Sequence, residues 1–183
     1  MKRQLRLALV YGSTRTGRFC DVVARWAVTE IRRHEDFLLD VIDPAVPDER
    51  AGASIADRID RADAIVIVTP EYNHSYPAPL KALIDGLSEE WNAKPVAFVC
   101  YGGQSGGIRA VEQLRLVFAE LHAATVRDIV SFANAWEQFD EHGVLKDPAR
   151  AQRAMAAMLG SLRWWASALR YARQVAPYRT RAA

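Results

Sequence analysis

Apolar residues along the chain fall into two recurring patterns, short unbroken runs and 3.6-residue stripes. Leu5 to Val10, apolar apart from Arg6, Phe37 to Ile42, which includes Asp40, Ala64 to Val68 and Pro95 to Cys100 are runs of strand length. Continuous runs, rather than clean alternation, mark strands buried on both faces. Ala124 to Val130 is a fifth candidate, interrupted by Arg127 and Asp128 as an edge strand would be. Between the runs lie helical stripes. Phe19, Val22, Val23, Trp26, Ala27 and Ile31 form one, spoiled only by Glu30. Ser54 caps a short second helix with Ile55 and Ile59 facing inward. Leu80, Leu83, Ile84 and Leu87 follow Pro79, and Ile108, Val111, Leu114, Phe118 and Leu121 form a fourth stripe. A long helix is predicted from Pro148 to about Gln174, with Met155, Met158, Leu159, Leu162, Trp165, Ala166 and Leu169 inside and Trp164 beside the stripe.

Strands alternating with helices imply a parallel sheet covered on both faces. Five such units predict an α/β fold of flavodoxin-like order, 2-1-3-4-5, with the long helix at the C-terminal end. One segment resists the pattern. Residues 132–147 show no clear element, but Phe132, Trp136 and Phe139 predict that they pack on the body of the chain or on a partner subunit. Residues 1–183 read as one domain, with a frayed tail over 176–183 and Trp91 anchoring the connection 88–94.

Composition narrows the function classes. Half of the residues are hydrophobic and a quarter charged, as in ordinary soluble domains. A net charge of +2 argues against nucleic acid or an acidic membrane as partner. No apolar stretch reaches membrane-spanning length, and Leu5 to Tyr11 is too short for a signal peptide. Cys20 and Cys100 form no disulfide framework and show no metal spacing, which predicts a reducing, cytoplasmic location. Cys100 reads as inert core. Cys20 reads as packing too, with a lowered pKa near its helix start as the alternative.

Three loops carry the candidate chemistry, and all three follow strands that the topology places at one edge of the sheet. After the first strand, Gly12-Ser13-Thr14-Arg15-Thr16-Gly17-Arg18 opens a helix. Unpaired N–H groups, three hydroxyls and the guanidinium forks of Arg15 and Arg18 suit a phosphate. After the third strand comes Thr69-Pro70-Glu71-Tyr72-Asn73-His74-Ser75-Tyr76-Pro77-Ala78-Pro79. Its prolines stiffen it, and Tyr72 and Tyr76 can line a flat ring whose heteroatoms meet peptide N–H groups of Glu71 to Ser75. The loop after the fourth strand, Tyr101-Gly102-Gly103-Gln104-Ser105-Gly106-Gly107, has four glycines in six residues and can turn its N–H groups toward a ligand. Each loop alone also has an ordinary reading: a capped helix with solvated arginines, a proline-rich connection, a flexible turn. Together they describe an extended ligand with phosphate at one end and a polar-edged ring at the other, which is the shape of FMN.

Gly12-Ser13-Thr14-Arg15, Thr69 to Pro77 and Tyr101-Gly102-Gly103 resemble the NADPH-dependent FMN reductase family, over roughly residues 5–130. That family includes azoreductases, quinone reductases and chromate reductases. The resemblance implies bound FMN, a flavodoxin-like fold and often dimers or tetramers. It implies that Ser13, Arg15 and Arg18 hold the phosphate, that Pro70, Glu71, Tyr72, Asn73, His74 and Ser75 run along the isoalloxazine ring, and that Gly102 and Gly103, with Tyr101, lie at its far edge. The implied reaction takes hydride from NADPH or NADH through FMN to a small-molecule acceptor: a quinone, azo or nitro compound, metal oxyanion or free flavin. No catalytic side chain and no metal are expected. His74 is read as a structural hydrogen-bonder, with proton donation as the alternative. Two rivals stand beside this reading: a flavodoxin-type electron carrier, and a nucleotide- or phosphosugar-binding domain without redox chemistry.

Overall fold

A computed structural model describes residues 4–46 and 52–178. Five strands, β1 (Leu5–Tyr11), β2 (Phe37–Ile42), β3 (Ala64–Pro70), β4 (Pro95–Gly102) and β5 (Ala124–Ala133), form one parallel sheet in the order β2-β1-β3-β4-β5. The predicted order is therefore the observed one. Around the sheet lie α1 (Cys20–Arg32), α2 (Ile55–Arg61), α3 (Ala78–Asp85), α4 (Ile108–Glu120), the short α5 (Ala135–Gln138) and α6 (Ala149–Val175).

The unbroken apolar runs are explained by two cores. Leu7, Leu9, Val66, Val68, Ala97 and Val99 face α1 and α6 on one side. Ala8, Val10, Ile65, Ile67, Val96 and Phe98 face the side of α2, α3 and α4. Successive strand residues point to opposite faces, so both faces demand apolar side chains. Trp91 is fully buried, donates its indole N–H to the Ile84 carbonyl at 3.1 Å and packs edge-on against Phe118. Ser54 caps α2 with a capping box completed by Asp57. Glu30, the odd residue in the α1 stripe, is buried but accepts from Arg33 at 2.9 Å and from Gln152 of α6 at 3.2 Å. A carboxylate paired on two sides is tolerated where an orphan would not be.

Three expectations need correction. Trp165 was expected in the inner stripe of α6, yet it is 42% exposed and packs edge-on against Trp164, while Leu162 and Ala166 make the buried contacts. Ile108, at the first position of α4, is also exposed. The segment 132–147 does contain structure. β5 continues to Ala133, α5 follows, and a bridge between Phe139 and Leu145 closes a small hairpin around Asp140, whose carboxylate accepts from the His142 and Val144 N–H groups. Phe139 is buried against Phe132 and Phe19 at centroid distances of 5.3 and 5.7 Å, so the hairpin seats on the start of α1. Of the expected tail, residues 179–183 lie outside the described residues; Tyr178 is fixed by a 2.8 Å hydrogen bond between its hydroxyl and His122 Nδ1. Residues 47–51, between β2 and α2, also lie outside the described residues.

Candidate functional site

The three glycine- and proline-marked loops leave the carboxyl ends of β1, β3 and β4, adjacent strands at the point where the strand order reverses. Ligands of open α/β sheets bind in that crevice. Gly12 starts the first loop and donates its N–H to the Val68 carbonyl at 2.8 Å. A Cβ there would lie 2.8 Å from the same oxygen, so only glycine lets β1 and β3 approach this closely. Beyond it, the N–H groups of Thr14, Thr16 and Gly17 have no partner among the described residues, whereas the Ser13 N–H meets the Cys20 sulfur and the Arg15 N–H lies 3.5 Å from Ser13 Oγ. Gly17, at φ 65°, turns the chain into α1. A run of unpaired donors at a helix start, uncapped by any side chain, is a ready anion cradle.

Ser13 is fully buried, and its Oγ lies 3.2 Å from the Tyr72 hydroxyl. Arg15 is exposed and sits over the Tyr72 ring, 5.2 Å from its centroid. Tyr72 thus reaches from the second loop across to the first and joins the two. Arg18 is placed differently. Its side chain is only 7% exposed, and both arms of the guanidinium bind the Asp43 carboxylate after β2. Its Nε donates to Asp21 at 2.8 Å, a further N–H meets the Ser13 carbonyl, and the group lies over the Tyr11 ring. Hydrogen bonding to Asp43, with a smaller contribution from Asp21, pushes its pKa above the ordinary arginine range despite burial. The geometry makes Arg18 the brace of the first loop rather than a free fork.

The second loop is built around a tight turn. Tyr72 and Ser75 exchange both backbone hydrogen bonds, at 2.8 and 3.0 Å, and Asn73 and His74 between them have φ of 51° and 66°. Two successive positive φ values define a type I′ turn, uncommon for residues with a Cβ. Gln113 of α4 holds it from below: its Nε2 donates to the His74 carbonyl at 2.7 Å and its Oε1 accepts from the Ser75 hydroxyl at 2.6 Å. The Glu71 N–H donates to the Tyr101 carbonyl. Of the peptide donors expected to serve a ligand over Glu71 to Ser75, only those of Asn73 and His74 therefore remain free among the described residues. Pro70 ends β3 opposite Tyr101. Tyr76 packs against the α3–α4 core, not toward Tyr72.

Glu71 ties the second loop to the third. Burial alone would raise its pKa, but hydrogen bonds from Ser105 and Arg109 outweigh that and hold the carboxyl below its usual range. The Arg109 N–H and guanidinium lie 3.2 and 3.1 Å from its two oxygens. In the third loop the Gly103 carbonyl accepts from Gly106 at 3.0 Å and from Asn134 at 2.9 Å. The Gln104 N–H belongs to the same peptide and points the opposite way. Gly103, Gln104 and Ser105 keep unpartnered N–H groups among the described residues. Gly107 (φ 88°) cannot carry a side chain, because a Cβ would lie 2.6 Å from the Tyr101 nitrogen. Tyr101 itself is buried, packs against Phe19 and hydrogen-bonds Cys20; burial above all drives its pKa far up. Its ring lies in the core, while its carbonyl accepts from the Glu71 N–H at the crevice. Burial likewise pushes the Cys20 thiol up to about 11 and the Cys100 thiol to about 12, as packing residues require.

The structure thus brings together Ser13, Arg15, Tyr72, the Asn73–His74 turn, Glu71, Gly102 and Gly103, and sets Arg18 and the Tyr101 ring behind them. Gln113, Arg109 and Asp43 escaped notice in the sequence. The only signal for the first two was their helical spacing, which put them beside the third loop.

A five-stranded 2-1-3-4-5 sheet whose switch-point loops carry a donor cradle defines a flavodoxin-like ligand-binding domain. The chain belongs to the NADPH-dependent FMN reductase family, whose model matches residues 5–137. It is 33% identical over 120 residues to an NAD(P)H-dependent FMN reductase of Schizosaccharomyces pombe, covering 56% of this chain and 60% of that one. To an NAD(P)H:quinone oxidoreductase of Solanum tuberosum it is 39% identical over 110 residues, 56% of each chain. The matches thus span little more than half of these relatives. The structure of an NADH:FMN oxidoreductase superposes with a TM-score of 0.69 at 18% identity, over 87% of this chain and 90% of that one, which shows the shared fold. Among the described residues no helix is long and apolar enough to cross a membrane.

Proposed function

We propose that this protein is an FMN-dependent oxidoreductase that takes hydride from NADPH or NADH and delivers the electrons to a small-molecule acceptor such as a quinone. The observation that carries the proposal is the meeting of three separate loops at one crevice, linked by Ser13–Tyr72 and by Glu71 to Tyr101 and Arg109. The residues present fit FMN. The free N–H groups of Thr14, Thr16 and Gly17, with the hydroxyls and Arg15, would hold the phosphate. Asn73 and His74 would offer N–H groups to one side of the ring, and Gly103, Gln104 and Ser105 to the other. When bound, FMN supplies the two-electron chemistry, accepting hydride at N5 and passing it on.

The chain's own task is orientation and electrostatics. Donors fixed before reaction stabilise negative charge on the ring edge without reorganising. Gln113 and Glu71 keep those donors in place, and Arg18 holds the first loop against β2 through Asp43. No side chain is given an acid or base role; the His74 imidazole stands on the exposed turn with no hydrogen bond among the described residues. The potato relative's quinone activity favours quinones as acceptors. Assembly as a homodimer or homotetramer belongs to the same proposal, supported by Trp164, Trp165 and Tyr171 exposed on α6. Cytoplasmic location rests on two buried cysteines that form no disulfide.

The test is an anaerobic titration of the FMN-loaded protein with NADPH and NADH, followed by menadione. The expected result is bleaching of the flavin band and its recovery with the quinone. Protein that fails to take up FMN, or that keeps its oxidised spectrum under both nicotinamides, overturns the proposal.

A further inference from the structure

Trp136 is a large side chain at the rim of the candidate site that stays uncovered although the backbone on both sides of it is anchored. It lies on α5, the element the sequence pattern did not disclose. Both of its flanks are anchored: Ala135 is fully buried, and Phe139 is buried in the cluster with Phe132 and Phe19. The turn into α5 uses Asn134 in the left-handed region (φ 45°), and the Asn134 N–H donates to the Gly103 carbonyl at 2.9 Å. At the other end Lys146 Nζ donates to the Glu137 carbonyl at 2.9 Å and the Lys146 N–H to the Gln138 carbonyl. The backbone beneath Trp136 is therefore tied to the third loop itself.

The indole nevertheless stays 58% exposed. Its Cη2 lies 3.7 Å from where a Cβ on Gly103 would stand, so the benzo edge borders the space in front of that glycine. Core packing does not account for this placement, since Ala135 and Phe139 take the buried positions of the segment. An indole fixed by its backbone offers a flat apolar face at little entropic cost, because few torsions remain to be frozen.

From this juxtaposition we infer that the Trp136 indole is one wall of the electron-acceptor site and selects planar aromatic acceptors over compact, non-planar ones. The inference rests on the functional reading above, which puts Gly102 and Gly103 along the ring edge of FMN. Trp136 touches the acceptor and exchanges no electrons or protons with it. Its effect is on binding, so it appears in KM and not in the reduction of the flavin by NAD(P)H.

The probes are menadione, a flat two-ring quinone, and ferricyanide, a compact octahedral ion, used with the FMN-loaded full-length protein and its Trp136→Ala and Trp136→Phe variants. In Trp136→Ala the ratio of the menadione KM to the ferricyanide KM rises roughly three- to tenfold, the range that loss of one aromatic contact gives. Trp136→Phe restores most of it. Independently of turnover, menadione quenches the intrinsic tryptophan fluorescence of the wild type more than that of Trp136→Phe. An unchanged KM ratio and equal quenching overturn the inference. So does a change in solution mass of Trp136→Ala by light scattering, which would make the indole a subunit contact. Wild-type protein that oxidises neither nicotinamide overturns the functional reading and this inference with it. An active wild type with an indistinguishable Trp136→Ala overturns the inference alone.

Discussion

Replacing Arg18 with alanine, beside the same change at Arg15, separates bracing the first loop from holding a ligand. The Arg18 side chain is 7% exposed and joins Asp43, Asp21 and the Ser13 carbonyl, with Tyr11 beneath it. Alanine leaves the Asp43 carboxylate without its bidentate partner and the Ser13 carbonyl without a donor. Breaking a buried pair costs about 3–5 kcal/mol. Asp43 is 21% and Asp21 50% exposed, so water recovers part of that, and a loss of about 2–3 kcal/mol is expected for the FMN-free protein. With a urea slope of about 2 kcal/mol per molar, the unfolding midpoint falls by roughly 1–1.5 M. Arg15 is exposed, and among the described residues its side chain is held only over the Tyr72 ring. Arg15→Ala should leave the FMN-free midpoint nearly unchanged, within about 0.5 kcal/mol. It should weaken FMN binding by roughly 10- to 100-fold, the worth of one charge-assisted contact. The assays are urea unfolding by circular dichroism and FMN affinity by flavin fluorescence. Arg18→Ala with unchanged stability in the FMN-free state and abolished FMN binding would refute the reasoning, because the guanidinium would then be a ligand group rather than a brace.

Other positions give independent checks. Gly107→Ala puts a Cβ 2.6 Å from the Tyr101 nitrogen at φ 88°, and thermal or urea unfolding should show a loss of about 2–5 kcal/mol, from overpacking and left-handed strain together. Gln113→Ala removes both hydrogen bonds under the Asn73–His74 turn; FMN affinity should fall roughly three- to thirtyfold while stability changes by about 1 kcal/mol, and an unchanged affinity would separate the turn from the ligand. Lys94 donates to the Ile59 and Asp60 carbonyls at the end of α2, and burial depresses its pKa from 10.5 to about 8. The unfolded chain therefore holds more protons between those values. The Lys94 contribution to stability accordingly rises as pH climbs through that window, by at most about 3 kcal/mol. The stability of wild type minus that of Lys94→Met should grow from pH 7 to pH 10; a flat or falling difference would contradict the assignment.

The fold was legible because it rests on periodicity. Two buried faces force unbroken apolar strands, and β3 is buried along its whole length as the pattern requires. The three loops were legible because their chemistry is local: glycine, proline and hydroxyl residues in short spans. What the sequence concealed depends on partners far along the chain. Arg18 reads as a free fork in the sequence, whereas the fold pairs it with Asp43 just after β2. Only the assembled fold shows Gln113 beneath a turn some forty residues earlier. The α5 segment lacked any period because its order comes from Phe132 and Phe139 meeting α1, not from a repeating face of its own. Trp165 shows the limit of a helical stripe. It sits three residues from Leu162 at the stripe's margin, where Ala166 closes against the core and an indole is left to pack on Trp164.

A crystal of the full-length protein grown with FMN tests the central claim most directly. The account predicts difference density for the phosphate against the peptide groups of Ser13 to Gly17, with Arg15 turned onto it and Arg18 still on Asp43. It predicts the ring between the Asn73–His74 turn and the Gly103–Ser105 backbone. Density for the nucleotide in any other cleft, or a phosphate bound by Arg18 with Asp43 released, would contradict it.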